Sequence, residues 1–230
     1  AKEVRQLYDD LLPTDPVDLA VLYTAGWQLD LHDPDSRYDP NTKSRDNFDY
    51  AERRAVAVAE EIAKSAELIT RSLNRLACES GNGTYPFAKA LMKASKDPEG
   101  LFSLAIRVAE DSEQPPNRGF YGGLISGADE RDPKIARALV RLALQSSKLK
   151  GETIALIGSC ILDDEDIDLV ISLVASGEIK PWQVQNLGLW HSPEVLFIRV
   201  LKELEKHGND GLWAIVNIVA LFLHGDSRTP

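Results

Sequence analysis

Residues 118–200 read RGFYGGLISGADERDPKIARALVRLALQSSKLKGETIALIGSCILDDEDIDLVISLVASGEIKPWQVQNLGLWHSPEVLFIRV. Three related units lie in this stretch. Gly123-Leu124-Ile125 aligns with Ala155-Leu156-Ile157 and then with Leu187-Gly188-Leu189, each about 32 residues after the last. The residues that follow at helical spacing align too: Ile135, Leu139 and Leu142 with Ile167, Ile171 and Val174. The third unit, Pro193 to Ile198, arrives a few residues early, and Asp97-Pro98 with Leu101, Leu104 and Val108 looks like an earlier copy. A helix pair recurring at such a period cannot bury its apolar stripe alone, so neighbours must stack. The expected fold is all-α: an α-solenoid, a right-handed stack of antiparallel helix pairs, most regular over 117–224.

Outward from that core, the same punctuation recurs. Asp15-Pro16, Asp97-Pro98, Asp132-Pro133 and Ser192-Pro193 each precede an amphipathic run. An Asp or Ser side chain accepts an orphan backbone N–H at a helix start, and Pro at the next position gives up an N–H that has no partner there. About a dozen helices are expected, near 2–12, 16–29, 47–63, 66–79, 85–95, 98–112, 118–128, 133–146, 150–161, 165–176, 181–190, 193–207 and 210–223. Apolar–polar alternation never persists long enough for a strand. One polar break, DLHDPDSRYDPNTKSRD at 30–46, separates an N-terminal helical hairpin from the rest. The expected domains are 1–46, the hairpin plus this long loop, and 47–230, the repeats; one continuous domain over 1–230 is the alternative.

The chain has 230 residues, 43% of them hydrophobic, and a net charge of −10. That apolar share argues against wholesale disorder, and the charge argues against nucleic acid and anionic membranes as partners. The longest apolar run, Leu212–Leu223, is short of the roughly 20 residues that a span needs. Cys78 and Cys160 stand far apart with no CxxC or Cys/His neighbour, which suits core thiols in a reducing, cytoplasmic setting rather than zinc or a disulfide framework. The opening AKEVRQ lacks Met, which fits a piece of a longer protein as well as processing.

The pattern over residues 84–224 resembles the HEAT/armadillo class of helical repeats. The stretch from Ile171 to Leu223 also resembles the irregular helical repeats attached to large bacterial signalling NTPases. That second resemblance implies a sensor module whose catalytic domain lies elsewhere. No GxxxxGK[ST] occurs in this chain.

Several residue groups carry a chemical reading beside a structural one. Asp30, His32, Asp33, Asp35 and Asp39 in the polar loop read as Asx-turns of a solvated connection, with a divalent cation site as the alternative. Asp163-Asp164-Glu165-Asp166 with Asp168 lacks calcium-loop spacing and suits a helix start, where the macrodipole favours negative charge. Arg131, Lys134, Arg137, Arg141, Lys148 and Lys150 form the one concentrated basic stretch, either a partner surface or a solvated face. Trp27, Trp182, Trp190 and Trp213 read as core or interface rings; Trp213 is expected in the core and Trp182 nearer the surface. Gly119, Gly122 and Gly123 admit a ligand or, alternatively, close helix packing. His32, His191, His207 and His224 fall in no catalytic motif, and Glu152 is a weak acid–base candidate.

The expectation is therefore a non-enzymatic protein-interaction or sensor module, with no catalytic residue, cofactor or metal. Its partner would be a protein or peptide, acidic and carrying an apolar anchor. Arg137, Arg141 and Lys202, with Ser172 and Lys206, would line one face of the second helices, beside Trp182 and Trp190. The alternatives are a helical-repeat nucleic-acid or base-repair protein, and a metal-assisted hydrolase using the 30–46 loop.

Overall fold

A computed structural model describes residues 7, 10–24, 45–78, 83–189 and 192–226. Among them there is no strand. The helices are α1 (Pro16–Thr24), α2 (Arg45–Ile62), α3 (Ala66–Leu76), α4 (Thr84–Ala94), α5 (Pro98–Asp111), α6 (Arg118–Asp129), α7 (Pro133–Gln145), α8 (Thr153–Ile157), α9 (Asp164–Ala175), α10 (Glu194–Leu204) and α11 (Gly208–Asp226). Short 3-10 turns cover Lys150–Glu152, Pro181–Leu187 and Glu205–His207.

Three of the four expected starts form as read. The carboxylates of Asp15, Asp97 and Asp132 accept from the backbone N–H of Val17 at 2.8 Å, Gly100 at 2.9 Å and Lys134 at 2.9 Å. The fourth differs. Pro193, not Ser192, occupies the cap position of α10, and its carbonyl accepts from Leu196 and Phe197. Ser192 instead closes a turn onto the Leu189 carbonyl, so the helix begins one residue late with no side-chain cap.

Two of the expected helices are shorter than periodicity suggests. The 150–161 run contains only the five-residue α8, which ends at Gly158. The 181–190 run is a 3-10 helix, opened by Pro181 and closed after seven residues by Gly188 at φ 73°. A left-handed residue there is tolerable only because it has no Cβ.

The helices lie in two rows. In one, α2, α4, α6, α8, the 181–187 segment and α11 each touch the next. In the other, α3, α5 and α7 follow one another, then α9 and α10. Helix α1 packs on α2, α3 and α4. A single apolar core runs from Val17 to Ile218, crossing the residue-46 boundary.

The tightest contact in the first row is between α4 and α6. A Cβ at Gly127 would lie 2.5 Å from the Lys89 carbonyl oxygen and 2.9 Å from the Met92 Cβ, and one at Gly123 would run into the Tyr85 carbonyl. With hydrogen at both positions the two backbones meet directly. Tyr121, fully buried beside this contact, donates its hydroxyl to the Ala105 carbonyl at 2.7 Å and meets Phe102 edge-on.

Gly127→Ala should destabilise the fold by about 1–3 kcal/mol through overpacking, although Ala is the better helix former by about 1 kcal/mol. Gly151→Ala, with open space around it, should be near neutral. Urea unfolding of the two variants measures the contrast.

Candidate functional site

The basic and acidic runs singled out in the sequence find each other. Arg137 on α7 spreads its guanidinium over the start of α9: Nε donates to Asp166 at 2.9 Å, Nη1 to Glu165 at 2.6 Å, and Nη2 to Asp163. Asp163 and Asp166 also form a reciprocal capping box. On the other side of α9, Arg199 of α10 bonds Asp164 and Asp168. The carboxylates thus strap three successive helices together. Arg137 is only 12% exposed and Asp166 only 6%. Burial pushes the Asp166 carboxyl above its usual range, against the pull of Arg137. The expectation that Arg137 faces a partner is therefore corrected: its donors are spent within the chain, because the α9 start lies one row-step away.

Arg137→Ala should cost about 3 kcal/mol, because it strands a buried carboxylate. Arg199→Ala, whose partners are exposed, should cost less than about 1 kcal/mol. Denaturant melts of both variants check the difference.

The rest of the expected surface is dispersed. Arg141 and Lys202 are exposed, and neither makes an ion pair among the described residues. Ser172 and Lys206 are exposed too, and Lys206 pairs with Glu203 at 2.6 Å. Arg131 caps α4, donating to the Met92 and Ser95 carbonyls at 3.0 and 2.7 Å. Lys148 donates to the Ser112 carbonyl, and Arg118 pairs with Glu152. Trp182 is half-exposed at 48%. Trp190 lies outside the described residues, as do Trp27, His191, the side chain of His224 and the whole Asp30–Asp39 loop. Trp213, expected in the core, is 64% exposed, because α11 is covered on one side only. His207 lies 3.3 Å from Glu203. Gly123 sits in the close helix contact rather than in a ligand loop. Among the described residues no group of three or more His, Cys, Asp or Glu could hold a metal, and no helix is long and apolar enough to cross a membrane.

What the sequence did not single out is a groove of about 790 Å³ along α2 and α4. Val56, Ala63, Ala90 and Ala94 form its apolar surface. Lys64, Lys89, Lys93 and Lys96 border it, together with Glu52, Glu60 and Glu130. Glu130, just after α6, bridges two of the lysines: its carboxylate oxygens lie 2.6 Å from Lys89 Nζ and 2.8 Å from Lys93 Nζ. Lys64 and Lys96 make no ion pair among the described residues. The i, i+4, i+7 spacing of Lys89, Lys93 and Lys96 was the available signal, and by itself it reads as a solvated face. No protein-family model, curated protein or solved structure matches the chain.

The two lysines hold the Glu130 carboxyl down from 4.5 to about 2, and Glu130 in turn raises the Lys89 ammonium. A carboxylate depressed in the fold contributes stability above its unfolded pKa and loses it as pH falls through the folded value. Melting temperature should therefore drop between about pH 4.5 and about pH 2, and Glu130→Gln should flatten part of that drop.

Proposed function

We propose that this chain is a non-enzymatic helical-repeat interaction module, an α-solenoid that grips an acidic peptide segment in the α2/α4 groove. The groove is the observation that carries the reading. Its apolar surface suits an alkyl or aromatic anchor, and Lys64 and Lys96, which make no ion pair among the described residues, suit carboxylates. The proposed partner keeps the chemistry expected from the sequence, an acidic segment with an apolar anchor, but the proposed surface is the groove rather than the second-helix face.

The solenoid part of the reading draws support from polar contacts that join positions about one repeat apart. Asp129 accepts from the Ile161 N–H and Gln183 donates to the Gly151 carbonyl, each across 32 residues. Thr84 donates to Asn117 across 33 and Arg118 to Glu152 across 34. Such nearest-neighbour bonding is what stacked repeats require.

A displayed random-peptide library, selected on the immobilised protein, tests the function. Wild type should enrich sequences with acidic residues around one large apolar residue. Ala94→Trp, at an exposed groove position, should weaken binding of the selected peptides by more than about tenfold, since an anchor side chain is typically worth 2 kcal/mol or more. Enrichment of basic peptides, or undiminished binding to Ala94→Trp, would overturn the reading.

A further inference from the structure

Helix α11 has two apolar sides, and the chain uses one. Gly211, Ala214 and Ile218 face inward, and Phe222 stacks on Phe197 of α10 with ring centroids 4.7 Å apart. The adjoining outer side carries Leu212, Val216, Val219 and Leu223, with Trp213 beside them; Val219, at the inner edge, also packs against the core. Leu212 is 52% exposed, Val216 60% and Leu223 64%, while Val219 is half-buried.

Those four residues are spaced 4-3-4. Apolar positions recurring every 3.5 residues on average form a straight seam that fits the equivalent seam of another helix. A face left to solvent in a chain of net charge −10 would ordinarily carry charge, yet no charged residue occurs from Gly211 to Leu223. Charge complementarity therefore selects no foreign partner here.

We propose that a second copy of this chain covers the stripe, α11 against α11 in antiparallel orientation about a two-fold axis near the middle of the seam. The antiparallel arrangement opposes the helix dipoles favourably. It sets Val216 of each copy opposite Val219 of the other, and the Leu212 end, with Trp213, opposite the other Leu223. A two-fold contact needs only one self-complementary patch. The exposed apolar surface amounts to on the order of 500 Å² per copy, at the upper end for a monomer. Two copies would bury about 1,000 Å², the lower bound for a specific contact, so a weak, concentration-dependent dimer is expected. This surface is separate from the α2/α4 groove, and neither proposal depends on the other.

Sedimentation equilibrium of the full chain between about 1 and 100 µM brackets the dissociation constant, on the order of 10 µM, that such a contact supports. Wild type should pass from monomer to dimer over that range. Val216→Glu, which would bury a carboxylate without a partner, and independently Leu212→Lys should each weaken the dimer by more than about tenfold. Both positions are exposed, so both variants should melt like the wild-type monomer. Lys202→Glu, on α10, should leave the dimer intact. A wild type that stays monomeric at the highest concentration would overturn the proposal, whatever else then covers the stripe. So would a dimer that survives both substitutions, or assembly beyond two copies.

Discussion

The direct backbone contact between α4 and α6 sets much of what surrounds it. Because Gly123 and Gly127 present no side chain to the Tyr85 and Lys89 carbonyls, α6 lies close enough for its end to reach across α4. That proximity puts Glu130 between Lys89 and Lys93 and aims Arg131 at the last carbonyls of α4. The border of the groove is therefore a consequence of helix packing. A methyl group at either glycine would push the helices apart and pull Glu130 away from its lysines.

Farther along the chain, electrostatics takes over from close packing. Helix α8 has only five residues, so it offers little surface to bind its neighbours. In the other row, the Arg137 and Arg199 contacts tie the start of α9 to α7 and α10. Five carboxyl groups gathered at one helix start would repel one another. The helix dipole, the capping box and two guanidinium groups make the cluster tolerable. The arrangement fixes which helices are neighbours, while only its buried Arg137–Asp166 pair is coupled strongly to stability.

The two surfaces left open differ in chemistry. The groove mixes small apolar side chains with charges of both signs, which rewards a partner of matching pattern. The outer stripe of α11 is uniformly apolar and uncharged over more than three turns, which rewards shape and helical spacing alone.

Sequence by itself determined the helical class and most helix boundaries among the described residues. Those features follow from local physics: apolar spacing at 3.6 and Asp before Pro at helix starts, while Ile125, Ile157 and Leu189, spaced 32 residues apart, are all buried. It also supplied close packing as one of two readings of Gly122-Gly123. Only the tertiary structure decided what each charged or aromatic side chain faces. Arg137 and Arg141 lie one helical turn apart and look equivalent in sequence, yet one is buried against carboxylates 26 to 29 residues away and the other is in solvent. Trp213 sits in the most apolar helix and is exposed, because apolarity does not say how many neighbours a helix has. The groove has residues from α2, α4 and the end of α6 around it, and no local pattern announces a surface whose parts meet only when distant helices pack.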